Sequence, residues 1–324
     1  MQTSNARLKM ATTFYACMLT SAVFAQPYPT RPIELVVHTS PGSGGDIVSR
    51  AVSEIMRKEK LLPQPLLVVN RTGGSGVVGF SFFKSKRGDP YYMMSITGTM
   101  LIMALRPDIN ISLDNYTPLA LFAIDPQTVM VRADAPYKTV KELLEAARRN
   151  PDTLVAATTA VMGTGRMMIR SLEKQAPGAK FKVVNFKGGG ETVTSVAGGH
   201  TTFTVENLSE AMSFIEAKQM RVLALASNNR MPQTPDVPTL KELGIPIATG
   251  TIRGFVFTAG VPKEAAVTME AALAKVHQSQ AWKDLAHRNV YENIYLGSAE
   301  FKEFLVKRYD EYKRFSEEVG LGKQ

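Results

Sequence analysis

The sequence predicts an α/β protein of two domains, each a mainly parallel sheet flanked by helices. Strand-like apolar segments alternate with helix-period segments from about residue 33 onward, which is the pattern of βαβ units. Three of the strands end in glycine-bearing loops that open directly into helices. The 324 residues also exceed what one hydrophobic core usually spans. With 44% hydrophobic and 21% charged residues, the composition is that of a globular chain and excludes disordered, collagen-like, coiled-coil and disulfide-scaffold classes.

In chain order, the first element is an export signal. Arg7 and Lys9 precede the apolar stretch Met10 to Val23, and Val23-Phe24-Ala25 supplies small residues for cleavage after Ala25. The stretch is too short and too polar to span a bilayer well. Cys17, the single cysteine, falls inside it, so the mature chain is expected to lack disulfides, thiolate metal ligands and a cysteine nucleophile. The formal charge is +9; removing Arg7 and Lys9 with the signal leaves +7, an excess that favours anionic ligands or partners.

Ile33 to His38 reads as the first strand, followed by a glycine loop and a helix with Ile47, Val48, Ala51, Val52, Ile55 and Met56 on one stripe. Leu66 to Asn70 is a second strand, with another glycine loop and a short helix, and Tyr91 to Ile96 a third. Pro126 interrupts before strand Thr128–Val131. Helix Lys141–Arg149 then stops at Asn150-Pro151. Next come strand Leu154–Ala157, helix Thr164–Gln175, strand Lys182–Asn185, helix Glu191–Ala197, strand Phe203–Val205, helix Ser209–Ala217 and strand Val222–Ala226. Residues 228–250, with Pro232, Pro235, Pro238 and Pro246, are the expected crossing between domains. Strand Phe255–Ala259 and three helices complete the chain, the last from about Ser298 to Val319.

The three loops are Ser40-Pro41-Gly42-Ser43-Gly44-Gly45-Asp46, Thr158-Thr159-Ala160-Val161-Met162-Gly163-Thr164-Gly165 and Phe186-Lys187-Gly188-Gly189-Gly190. A helix N-terminus presents unpaired N–H groups and a positive dipole end, and glycine lets an anion approach the backbone. One such terminus contributes only about 0.3–1 kcal/mol when exposed. Micromolar binding needs about 8 kcal/mol, so several termini must converge with the hydroxyls of Ser40, Ser43, Thr159 and Thr164. The alternative is that the loops are merely tight turns.

Gly74-Ser75-Gly76-Val77-Val78-Gly79 fits G-x-G-x-x-G between a strand and a helix, the form of a dinucleotide site. It lacks the acidic residue at the end of the next strand and does not open the domain, so no cofactor is expected. No nucleophile elbow or phosphate loop occurs, and the four histidines have no ligand-like spacing, so neither catalytic residues nor a metal is expected. His38 adjoins the first glycine loop, within reach of a bound carboxylate or of nearby backbone; His277 and His287 are expected at the surface. Basic patches with interleaved aromatics are absent, which disfavours nucleic acid.

Tyr28-Pro29-Thr30-Arg31-Pro32-Ile33 leading to Pro41–Asp46 resembles the start of mature tripartite tricarboxylate transporter receptors, the Bug-type solute-binding proteins. So do, in order, Val69-Asn70-Arg71-Thr72-Gly73-Gly74-Ser75-Gly76, Val184–Gly189, Ala197-Gly198-Gly199-His200, Glu206-Asn207-Leu208, Arg221–Ala226 and Pro235–Thr239. The resemblance implies a two-domain periplasmic binding protein-like fold, with residues 26–124 plus 250–324 as domain 1 and residues 125–249 as domain 2. It implies a small carboxylate (a di- or tricarboxylate, aromatic acid or amino acid) bound in the interdomain cleft by hinge closure and delivered to a membrane permease or sensor. On that basis Ser40, Gly42, Ser43, Gly44, Gly45 and Asp46, with Thr158, Thr159, Gly163, Thr164 and Gly165, would hold a carboxylate. Thr97, Thr99, Phe186, Lys187, Gly188, Glu206 and Asn207 would line the rest; Arg166 and Arg253 are each either a partner for a second carboxylate or a surface residue. Asp46 is expected to cap its helix or fix its loop, because a carboxylate beside a bound carboxylate repels it. His38-Thr39-Ser40 departs from the family's usual Pro-Phe-Ala and implies a wider, more polar pocket. The alternative function is a nucleotide-dependent oxidoreductase using Gly74–Gly79.

Overall fold

The computed structural model describes residues 28–159, 161 and 163–318; the stretch expected to be an export signal, with Cys17, lies outside them. One sheet has six strands: β1 (Ile33–Val37), β2 (Leu66–Asn70), β3 (Tyr92–Ile96), β4 (Tyr116–Pro126), β10 (Gly250–Thr258) and β11 (Glu292–Gly297), in the order β11-β4-β10-β3-β1-β2. The other has five: β5 (Thr128–Arg132), β6 (Val155–Thr158), β7 (Lys182–Asn185), β8 (Phe203–Thr204) and β9 (Met220–Leu225), in the order β7-β6-β8-β5-β9.

The α/β, two-sheet expectation holds, but the sheets are mixed rather than mainly parallel. Strands β2-β1-β3 and β7-β6-β8 run parallel, as helix-linked strands must. The strands next to the chain crossings, β4, β5, β9, β10 and β11, pair antiparallel.

Helices cover both faces of each sheet. On β1 the side chains alternate as the pleat requires. Ile33 and Leu35 join Val48 and Val52 of α1 (Gly44–Lys58), Leu273 of α8 (Lys263–Gln278) and Trp282 of α9 (Gln280–Arg288). Val36 joins Phe80 and Phe83 of α2 (Val77–Lys84), Met100 of α3 (Gly98–Met103) and Phe301 of α10 (Ser298–Glu318) on the other face. On β5, Val129 and Val131 pack on Leu143 of α4 (Val140–Arg149) and Leu172 of α5 (Thr164–Gln175). Met130 packs on Val193 of α6 (Gly189–Ala197) and Ala211 of α7 (Leu208–Glu216). Each such fully buried side chain contributes about 1.5–3 kcal/mol.

His277 is half-buried rather than at the surface: its Nε2 lies 3.2 Å from the Phe122 carbonyl and its ring contacts Phe122, Trp282 and Tyr295. Tight aromatic packing, invisible in a charged helical stretch of sequence, draws it in.

The chain leaves the first sheet at Pro126, enters the second at Thr128, and returns at Gly250. These two crossings touch. Gln127 donates its N–H to Thr249 O at 3.3 Å, and the Thr249 hydroxyl donates to Gln127 Oε1 at 3.2 Å. A paired crossing of two single strands is the geometry of a hinge. Because strands β1, β2, β3 and β6, β7, β8 all feed their helices from their C-terminal ends, both sets of loops converge on the gap between the sheets. Ligand sites in open α/β sheets are found at such strand ends.

Candidate ligand-binding cleft

A cavity of roughly 440 Å³ occupies that gap. The first half lines it with His38, Thr39 and Ser40 after β1, Thr72 to Gly76 after β2, and Thr99 on α3; the second half with Thr159 and Val161 after β6 and Asn185, Phe186 and Lys187 at the end of β7. Lys187 is the one charged side chain among these residues, and among the described residues no carboxylate lines the wall. The Ser40 hydroxyl donates to Lys187 O at 3.3 Å, so the two rims touch.

His38 is buried, stacks on Phe80 with 4.7 Å between centroids, and shares a 3.2 Å hydrogen bond between Nε2 and the Thr97 hydroxyl. Burial pushes its imidazole down to about 4, so at neutral pH it presents a neutral ring. Thr97 itself caps α3 by accepting from Thr99 N–H at 3.3 Å.

The loop Gly73–Gly76 needs glycine for its backbone: φ is +126° at Gly73, +55° at Gly74 and +97° at Gly76. The last glycine of the motif, Gly79, does different work. A Cβ there would come within 2.8 Å of Arg71 O and 3.0 Å of His38 Cβ, so its absence lets α2 lie close on β1.

The remaining sequence-derived candidates do not line this cavity. Asp46 Oδ2 accepts the Gly42 N–H at 2.9 Å and Arg50 Nε at 2.9 Å, and Oδ1 accepts from Asn70 at 2.9 Å. It therefore fixes its loop; burial opposes its charge, but these donors hold its carboxyl below the usual range. Ser43 precedes α1 and its hydroxyl pairs with Thr39 at 2.6 Å, while Gly45 packs beside Thr39. Gly188 faces Ser40 of the opposite half, whereas Gly44 lies against Arg253 of its own half. In the second half, Gly163 precedes α5, Thr164 accepts from Gln127 Nε2 at 3.1 Å, and a Cβ on Gly165 would overlap the buried Thr158 hydroxyl. Ala160 and Met162 of this loop lie outside the described residues. Arg166 sits on α5 with Arg170 and Glu173 as charged neighbours, and half-burial lowers its pKa.

Under the cleft, beside the two crossings, lies a buried polar network that joins sequence-derived candidates to Asp125, Ser209, Thr251 and Glu210, which the sequence did not single out. Arg253 of β10 pairs with Asp125 at the end of β4, both almost fully buried. Asp125 Oδ2 also accepts the Ser209 hydroxyl at 2.7 Å. Asn207 donates to Asp125 O at 2.8 Å and accepts from the Thr251 hydroxyl at 3.0 Å. Burial disfavours the guanidinium charge, but Asp125 beside it outweighs that and keeps Arg253 protonated. Burial, then the neighbouring Glu210 carboxylate, lift Glu206 to about 8, and the Thr159 hydroxyl hydrogen-bonds it, which ties this cavity-lining residue to the network. Arg253 is thus committed to Asp125 and does not line the cavity.

Three cavity contributors lay beyond the sequence-derived set: Thr72–Gly76, Asn185 and Thr39. The first carries the same strand–glycine–helix signal as the loops that were chosen, but its match to a dinucleotide motif drew it to a different reading.

The family model for the "Tripartite tricarboxylate transporter family receptor" matches residues 48–321. A protein of Cupriavidus necator described as "UPF0065 protein in gbd 5'region" is 26% identical over 303 residues, covering 92% of this chain and 90% of that one. The crystal structure of a ligand-free TctC solute-binding protein from Polaromonas is 30% identical, covers 90% of this chain and 99% of its own, and superposes with a TM-score of 0.67. An R. palustris protein solved with adipate shares the fold at 21% identity and a TM-score of 0.84, covering 90% and 98% of the two chains. With the family model spanning most of its length, two mixed sheets facing a cleft and a near-complete match to a solved solute-binding protein, the chain belongs to the tripartite tricarboxylate transporter receptor family.

Proposed function

We propose that this chain is an exported receptor that binds a small carboxylate in the cavity between its two sheets. It would close by hinge motion at Gln127 and Thr249, and deliver the ligand to a tripartite-type membrane permease or a sensor. The two units would be residues 26–124 with 250–324, and residues 125–249, with the export signal removed after Ala25. The observation that carries the reading is the cavity wall. Hydroxyls and glycine-loop backbone converge there with one cation, Lys187, while the nearby carboxylates Asp46, Asp125 and Glu210 are engaged elsewhere. Such a wall offers donors to an anion and no competing charge. The adipate held by a protein of this fold agrees with that chemistry.

The family's role as solute receptors favours binding without turnover. The loop Gly74–Gly76 serves this reading as wall, and needs no nucleotide.

The test is titration calorimetry with succinate, malate, adipate and benzoate on wild type, Thr99→Val, Lys187→Ala and Arg166→Ala. Thr99→Val and Lys187→Ala each remove a polar group at the wall and should weaken the bound acid about tenfold or more, whereas Arg166→Ala should leave it unchanged. Equal affinity in all four proteins would overturn the site.

A further inference from the structure

Glu210 is on the first turn of α7, in the half built on the second sheet, yet its carboxylate serves the first half. Its Oε1 accepts the N–H of Gly44, the first residue of α1, at 3.1 Å. Its Oε2 is buried without a hydrogen-bond partner. That oxygen lies against Gly189, the first residue of α6, so closely that a Cβ on Gly189 would overlap the carboxylate. On the other side, a Cβ on Gly44 would overlap the Arg253 guanidinium. One carboxylate therefore sits among the N-termini of a 15-residue and a 9-residue helix and a buried guanidinium. Unpaired N–H groups, two positive dipole ends and a guanidinium are the chemistry by which a protein holds a ligand's carboxylate. Here the occupant is the chain's own side chain, and Gly44 does not line the open cavity.

We propose that Glu210 is an internal occupant of the anion site at the α1 N-terminus. It latches the two halves together without ligand and denies that position to an incoming carboxylate, which must bind on the Thr72–Gly76 side of the cleft. The latch rests on the solute-receptor reading for the parting of the halves, but its test needs no natural ligand. A carboxyl group merely packed in a core and one filling an anion site differ in one respect: only the second leaves a vacancy that a small carboxylate can refill.

The experiment compares wild type, Glu210→Ala and Glu210→Gln. Melting temperature is followed in sodium formate against sodium chloride of equal ionic strength, and the radius of gyration is measured by small-angle X-ray scattering. Glu210→Ala should melt several degrees below wild type and expand in chloride. Formate, as the probe, should saturably restore most of both changes and leave wild type unmoved. A folded Glu210→Ala protein that responds alike to formate and chloride overturns the proposal. If Glu210→Ala does not fold, Glu210→Gln decides. It keeps volume and an acceptor for Gly44 but loses the charge facing Arg253, so its radius should exceed that of wild type, and an unchanged radius overturns the latch. Failure of wild type to bind any carboxylate would instead bear on the receptor reading and leave these outcomes intact.

Discussion

At the scale of single residues, the hinge network carries the sharpest consequences. Arg253 and Asp125 form a buried pair, and removing one partner leaves an uncompensated charge in the interior. Arg253→Met is therefore expected to lower unfolding free energy by about 3–5 kcal/mol, and the double variant with Asp125→Asn to recover much of it. Urea unfolding of the three proteins checks this. Glu206 gives a pH prediction. Burial and Glu210 raise it from 4.5 to about 8, so between those values the folded state keeps a proton that the unfolded chain has released. Its contribution is complete below 4.5 and is lost as pH rises through 8, with a slope of at most about 1.4 kcal/mol per pH unit. His38, driven down to about 4 by burial, acts in the opposite sense between that value and 6.5. The measurement is consequently the stability of wild type minus that of Glu206→Gln. That difference should fall from about pH 5 to about pH 8, and a flat difference would contradict it. The pairings of this network could not be read from sequence, because Asp125 and Arg253 are far in the chain from each other and from Asn207 and Glu210, and they meet only through the two crossings. The loop residues were legible: Ser40, Thr99, Thr159, Phe186 and Lys187 line the cavity because strand-end loops in this fold have nowhere else to converge.

At the scale of elements, the helices with strong apolar stripes and the strands with β-branched runs were legible from periodicity. Three elements were not. α3 has only six residues, too few to show a period. β11 is half-exposed along its length and lacks a clean alternation. β4 runs for eleven residues through Pro118 to Pro126, which sequence reads as interruptions; register shifts opposite β10 absorb the distortion. The glycines give a prediction that separates their jobs. Gly79→Ala would press a methyl into Arg71 O and lift α2 from β1, at a cost of about 1–3 kcal/mol. Gly190, inside α6 with nothing near its absent Cβ, should behave oppositely, gaining about 0.4–1 kcal/mol on substitution by Ala. Urea midpoints with unchanged slopes check both.

At the scale of the whole molecule, two helix-flanked sheets are joined by adjacent single-strand crossings, the line along which the proposed hinge would open. The donor-rich cavity lies across that line. The two-sheet architecture was legible from the alternation of strands and helices and from the ordered motifs between residues 28 and 239. Its mixed pairing was not, since the direction of β4, β5 and β10 follows from where the chain crosses. The central claim is that the cleft takes a small carboxylate, and the most direct measurement is a thermal-shift screen of residues 26–324. The panel contains mono-, di- and tricarboxylates, aromatic acids and amino acids, with NAD and NADP alongside. Ligand at about 100 times its Kd adds about 2.7 kcal/mol of stability, enough for a rise of several degrees. The account expects one carboxylate class to raise Tm saturably and neither nucleotide to move it. A flat response to every carboxylate with a clear rise for NAD or NADP would contradict the account and return the glycine loop at Gly74–Gly79 to the nucleotide reading.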